Sequence, residues 1–331
     1  MKTSNRNLPL TSRILAALPG PKTLWVGVWA LLVVLRPLLF TYVVALAGYP
    51  AGLEFFLVRL RPHLVVAYMV VLSVWASERL QQEVDAATPA IERLTGDAGI
   101  DRTRPILGLG GVSGPVVLTL LLTVFLSFTL FERYGLAVAA ALVAPYLIIN
   151  LPLMTLFWGY LALLVGLDRL GRRPLRLDRF PDDPSLGLRP VGALASTTLW
   201  IFAALTVPFL LVNIDSRLDL AVGLVFFLAG IGLFFLSMAR LHRQMAAAKQ
   251  RYLASTRALY AEAFAPVKAS WSLQSLAERV PLLGAAKALE DRALAIQEWP
   301  FDERTNSRIV ILISGVTVAA ISRFVLAALG L

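Results

Sequence analysis

Residues 219–264 read DLAVGLVFFLAGIGLFFLSMARLHRQMAAAKQRYLASTRALYAEAF, and this stretch decides the fold. No charge intervenes between Asp219 and Arg240. At ~1.5 Å per helical residue that run matches the ~30 Å hydrocarbon core of a bilayer. The helical pattern does not stop at Arg240. Leu241, Met245, Ala248, Tyr252, Ser255 and Leu259 recur at alternating four- and three-residue steps, the seam of a helix that packs on a neighbour. The stretch therefore predicts one helix from about 219 to 264 that leaves the membrane and enters a water-side helical module. Ala265-Pro266 is expected to end it.

Working outward, six further apolar stretches qualify as spans: 25–47, 57–77, 107–131, 135–167, 191–213 and 309–330. The 57–77 segment is the weakest, because its uncharged part begins only after Arg59, Arg61 and His63 and the two arginines must snorkel outward. The 135–167 segment has the opposite problem. It is longer than a bilayer requires, and Pro145, Asn150 and Pro152 are expected to bend or break it. Composition agrees with a membrane chain: of 331 residues, 58 % are hydrophobic and 16 % charged, and mean hydropathy is +0.73. That is well above ordinary globular usage. The start, Met1 to Lys22, is polar and basic and is not expected to be a cleaved signal peptide.

Orientation follows from the 31 Lys and Arg. With seven spans and the N-terminus inside, 25 of them fall on the inner side: before residue 25, in 78–106, in 168–190, and from Arg240 to residue 308. Arg59, Arg61, Arg133 and Arg217 lie outside, and Arg36 and Arg323 lie within spans. This is the positive-inside bias. Dividing 135–167 into two spans would invert it, so one long, broken helix is expected there. The expected architecture is an all-α integral membrane protein of about seven transmembrane helices, N-terminus in and C-terminus out. Residues 1–240 form a six-helix membrane region, 241–308 a cytosolic helical module, and 309–331 the final span. In the module's second half, Leu273, Leu276, Val280 and Leu283, then Leu289, Ala293 and Ile296, mark a second helix face. The expected location is the inner or plasma membrane, crossed several times. The net charge of +10 is accounted for by the inner loops and their attraction to anionic lipid headgroups, without nucleic acid.

Chemistry-bearing residues are few. Cysteine is absent and only His63 and His242 are histidines, so thiolate and all-histidine metal sites are excluded and no cofactor is expected. Arg36, next to Pro37, sits mid-span with no Asp or Glu inside any span to pair with it. It is either an anion, substrate or gate contact, or a structural arginine on a kinked helix. Asn150, beside Pro152, either lines a wet cavity or hydrogen-bonds across a kink. Thr119, Thr123 and Ser127 form a hydroxyl stripe at i, i+4, i+8 that suits helix packing or a hydrated path. Gly315, Ala319 and Ser322 form a small-residue stripe on the last span, and Arg323 either snorkels or biases a pore mouth toward anions. Trp299-Pro300 anchors the inner interface and, with Pro37 and Pro152, is a candidate hinge.

Gly111-Val-Ser-Gly114 resembles the Gly-x-Ser-Gly of rhomboid intramembrane proteases over four residues. A rhomboid serine requires a histidine base at matching depth, and neither His63 nor His242 is expected at the depth of Ser113. No enzyme is expected. Seven helices with N-in, C-out are also similar in layout to insect chemoreceptor-like ion channels, whose last helix lines a shared pore. No motif of that family is matched here and no residue is carried over. The sequence thus points first to an oligomeric channel or pore-forming receptor, with a homo-oligomer as partner. A membrane-anchored scaffold whose cytosolic helices bind a partner comes second, and a secondary transporter third.

Overall fold

The computed structural model describes residues 8–49, 52–96, 111–177, 182–212, 217–269, 273–301 and, in the final helix, 307–322 apart from 308, 312 and 320. The chain folds as α1 (Leu10–Ala17), α2 (Lys22–Leu46), α3 (Leu53–Thr95), α4 (Ser113–Tyr134), α5 (Leu136–Arg172), α6 (Arg189–Val212), α7 (Arg217–Ala269), α8 (Leu273–Leu294) and a short apolar α9 (Ile309–Ala319). No strand occurs among the described residues. Helices α2 to α7 contain the six segments long and apolar enough to cross a membrane. Their outward faces support that reading. Leu31, Leu35 and Leu38 on α2, Leu121, Val124 and Phe125 on α4, and Val222, Val225 and Leu236 on α7 are all exposed. An apolar surface that wide is stable against lipid rather than water.

Helices α3 and α5 form the spine. Helix α5 packs on α1, α2, α3, α4 and α7, and α3 packs on α1, α2, α5 and α6. Several buried hydroxyls are satisfied within their own helices, as when Ser77 Oγ donates to the Ser73 carbonyl at 2.7 Å and Thr198 Oγ1 to the Leu194 carbonyl at 2.7 Å.

The prolines do not break these helices. Helix α5 runs unbroken through Pro145 and Pro152, which corrects the expected break. Proline removes one N–H and frees the carbonyl four residues earlier. For Pro152 that carbonyl is Ile148, and the Trp29 indole N–H of α2 donates to it at 2.7 Å. For Pro208 in α6 it is Ala204, and the Tyr68 hydroxyl of α3 reaches it at 3.4 Å. A neighbouring helix supplies the donor that the proline withdrew, so the helix continues.

Helix α7 also passes Pro266 and ends at Ala269, not at Ala265-Pro266 as expected. Val267 is fully buried and holds that last turn in place. The seam on α7 holds for Leu241, Met245, Ala248 and Tyr252, then drifts. Thr256 is buried where Ser255 was expected, and Leu259 is exposed. A straight helix repeats every 3.6 residues, so an alternating seam leaves the contact within a few turns. On α8 the buried line runs through Ala286, Ala293 and Ile296, with Leu283 and Leu289 half-buried, while Val280 is exposed.

At one end of the bundle α3, α5, α7 and the described loop residues 173–177 and 182–188 form a single packed unit. Leu80, Val84, Ile91 and Leu94 of α3, Leu177, Leu186 and Leu188 of the loop, and Met245 and Leu253 of α7 share one core with Ile296. Gln244 clamps the end of α5 by donating to the Gly171 and Arg173 carbonyls at 2.8 Å each, while its Oε1 accepts from the Leu175 N–H. Arg176 N–H donates to the Leu94 carbonyl at 2.7 Å, and the Tyr252 hydroxyl to the Leu177 carbonyl at 2.6 Å. Residues 173–177 are thus held by α3 and α7 together.

Candidate functional site: an arginine-lined cavity between α2, α3, α4 and α5

At the opposite end of the bundle four helices diverge around a cavity of about 260 Å³. Arg36 lies ten residues before the end of α2, His63 ten residues after the start of α3, and Tyr146 ten residues after the start of α5. Each is therefore about 15 Å in from the helix ends. Arg133, one residue before the end of α4, lines the same cavity and is exposed. Antiparallel connection brings these positions to one level, since α2 leads to α3 and α4 to α5 through short turns at this end.

Arg36 is half-buried, with its guanidinium over the Tyr146 ring, Cζ 3.8 Å from the centroid. Carrying an arginine to mid-span depth costs about 2.5–3.5 kcal/mol or more. The ring face recovers part of that through its quadrupole, about 0.5–2 kcal/mol. Phe40, Leu130, Leu142 and Tyr146 pack into a common apolar cluster beside it. The Tyr134 ring meets Phe40 edge-on at 5.5 Å and Tyr49 edge-on at 5.5 Å. Among the described residues the cavity is lined by two arginines, one histidine, Thr129 and aromatic or aliphatic groups, with no carboxylate. Such a wall is complementary to an anion with an apolar body.

The other sequence candidates sit elsewhere. Asn150 is buried and its Nδ2 donates to Thr123 Oγ1 at 3.3 Å, so it bridges α5 to α4. Thr119 is buried and donates to the Pro115 carbonyl at 2.7 Å. The Ser127 hydroxyl is buried and finds no hydrogen-bond partner. Of the stripe, Thr123 meets α5 through Asn150, while Thr119 bonds within α4. Pro37 is buried inside a continuous α2. Arg323 lies outside the described residues. Gly315 and Ala319 are exposed on α9, as is Ser322 just beyond it.

Trp299 stacks on His242 at 4.4 Å and on Phe301 at 5.6 Å, and the His242 Nδ1 lies 2.8 Å from the Glu298 carbonyl. Gly192 of α6 lies so close to the Pro300 carbonyl that a Cβ there would overlap it. His242 is thus engaged by the Trp299 segment and His63 by the cavity, while Gly111 and Gly114, flanking Ser113, pack on Trp158.

Sequence reasoning identified Arg36 but not its company. His63 was read only as a missing general base, and Arg133 only as a loop charge. The equal distance of Arg36, His63 and Tyr146 from their helix ends was the available signal; Arg133, one residue before the end of α4, lies outside that pattern. No protein-family model, curated protein or solved structure matches the chain.

Proposed function

We propose that this multi-pass membrane protein is one subunit of an oligomeric channel or pore-forming receptor, with the arginine-lined cavity opening outward and the helical module facing the cytosol. One observation carries the reading. Helix α5 holds a cavity residue toward one end and a module contact, Gly171 to Gln244, at the other. Helix α3 holds a cavity residue toward one end and, at Leu94, meets Arg176 beside the Leu177 carbonyl that Tyr252 of the module binds. His63 and Leu94 are about 47 Å apart along α3, and Tyr146 and Gly171 about 38 Å along α5. Rigid elements that touch both sites are what coupling between an outer ligand and an inner module requires.

The distribution of charge supports seven spans with the N-terminus inside and the C-terminus outside. The segments expected inside contact one another: Lys22 pairs with Glu78 at 2.8 Å, Arg240 with Asp168 at 3.5 Å, and the Gln297 N–H donates to the Pro184 carbonyl at 3.0 Å. The exposed Gly315, Ala319 and Ser322 are available to a second copy, and the Trp299-Pro300 elbow joins the module to α9.

A second reading, a scaffold that binds a partner through the module, draws on the exposed Leu259, Tyr260, Val280 and Leu282 of α7 and α8. Reconstitution separates the two. Purified protein in liposomes is assayed for anion and cation flux beside Arg36→Ala, and its mass is measured in native membranes. Flux that Arg36→Ala alters, from an oligomer, supports the channel. No flux for either ion sign, or a strict monomer, leaves the scaffold.

A further inference from the structure

We propose that the cavity between α2, α3, α4 and α5 is a binding site for a small organic anion, a carboxylate or phosphate monoester joined to a compact apolar or aromatic body. The proposal deepens the receptor reading, on which it rests for the consequence of binding but not for binding itself. Three features fix the ligand class.

Charge comes first. Arg36 at the inner end and Arg133 at the outer end put two guanidinium groups on one cavity, with His63 on the α3 wall. A guanidinium stays charged at all working pH values, so the site is cationic without depending on titration. A histidine offers an N–H in either protonation state.

Shape comes second. Arg36 holds its guanidinium over the Tyr146 ring, Cζ 3.8 Å from the centroid, which anchors the group at the cavity wall. A guanidinium is planar, and its paired N–H groups match the two oxygens of a carboxylate or phosphate. Arg133 sits 5.6 Å from the Tyr134 ring at the mouth, where it steers an anion inward.

Size comes third. The cavity, about 260 Å³, is larger than the ~150 Å³ that accepts benzene, so it has room for an aromatic ring and one anionic group. Benzoate is a probe of that class. Phe40 and Leu130 supply the apolar wall for its ring. An inorganic anion would leave this wall unused, and a neutral aromatic would leave the guanidinium edge unused.

The same chemistry is available from a lipid phosphate leaning in from the outer leaflet, so the test separates the two sources. The full chain is placed in nanodiscs of phosphatidylcholine alone, or with phosphatidylglycerol added. Benzoate binding is measured calorimetrically, with benzamide as the neutral isostere, and 4-azidobenzoate is cross-linked and its adducts mapped. We expect benzoate to bind about tenfold or more tighter than benzamide. Adducts are expected on Tyr146, Tyr134 or His63. Arg36→Gln should abolish the preference. Arg133→Gln, at an exposed position near the end of α4, should weaken benzoate several-fold.

If phosphatidylglycerol displaces benzoate and is retained in native mass spectra, the site stands with a lipid phosphate as its occupant. If it does not compete, the occupant is a soluble anion. Equal affinity for benzoate and benzamide, or adducts only outside the cavity, overturns the proposal. So does full benzoate binding by both variants. Binding without any effect on flux would keep the site and sink the receptor reading; flux without binding would do the reverse.

Discussion

The contact between Trp29 and Ile148 makes a quantitative prediction. Trp29 is buried on α2, and its indole N–H donates at 2.7 Å to the carbonyl that Pro152 leaves unbonded in α5. Trp29→Phe keeps an aromatic ring but removes the donor, stranding that carbonyl in a low-dielectric interior. Leaving such a group unsatisfied costs about 1–3 kcal/mol. Interhelical hydrogen bonds measured by double-mutant cycles in a membrane protein average ~0.6 kcal/mol and reach ~1.7. We therefore expect Trp29→Phe to lose about 1–2 kcal/mol, part of it from smaller packing volume. The decisive number is the coupling. Pro152→Ala restores the backbone N–H, which then satisfies Ile148 within α5, so the hydrogen-bond part of the Trp29→Phe penalty should vanish in that background. Unfolding free energies of the wild type, both single variants and the double variant in bicelles should give a coupling of about 0.6–1.7 kcal/mol. A coupling within about 0.3 kcal/mol of zero would refute the claim that Trp29 acts by replacing the donor that proline withdrew.

Three further outcomes follow from the same geometry. Tyr68→Phe should couple to Pro208→Ala with the same sign but a smaller size, because the bond to the Ala204 carbonyl is 3.4 Å long; bicelle unfolding checks this. Gly192→Ala should destabilise by about 1–3 kcal/mol through overlap with the backbone of Pro300. Gly232→Ala, whose Cβ would meet nothing, should be neutral or stabilising by up to about 1 kcal/mol in the same thermal-melt series. The ion-pair cluster on α8, in which Lys287 pairs with Glu290 and Asp291 and Glu290 also meets Arg257 of α7, should be pH-limited at both extremes. Hydrogen bonds from Lys287 and Arg257 lower the Glu290 pKa, so its contribution is complete above its ordinary 4.5 and lost as pH falls through the lower folded value. Hydrogen bonds to Glu290 and Asp291 raise that of Lys287, so its contribution is complete below 10.5 and lost above the raised value. Hydrogen exchange of α8 should thus stay flat between these limits, after correction for intrinsic rates, and accelerate outside them.

The helices were legible because lipid and water impose different patterns on the same period. The switch from uniform apolarity before Arg240 to a one-sided seam after Leu241 marks where α7 changes surroundings, and the structure has one helix across it. Helix ends were less legible. Pro152 and Pro266 read as breaks because their local penalty is visible in sequence, while the compensation comes from Trp29, 123 residues away from Pro152, and from the burial of Val267. Arg36 stood out since a charge inside an apolar run has few physical explanations. The cavity around it did not, because His63, Arg133 and Tyr146 belong to three other helices and each has an ordinary local reading. Only the pairing of α2 with α3 and of α4 with α5 brings Arg36, His63 and Tyr146 to one level and sets Arg133 nearer the end of the bundle.

The whole functional account requires the cavity and the module to lie on opposite sides of the membrane, with an odd number of crossings. Because the native sequence has no cysteine, single cysteines at Glu132, at Ser255 and after Leu331 can each be probed without background using a membrane-impermeant maleimide. In intact cells the first and third should label and Ser255→Cys should label only after permeabilisation. Labelling of Ser255→Cys in intact cells, or a terminal cysteine that reacts only after permeabilisation, would contradict the account.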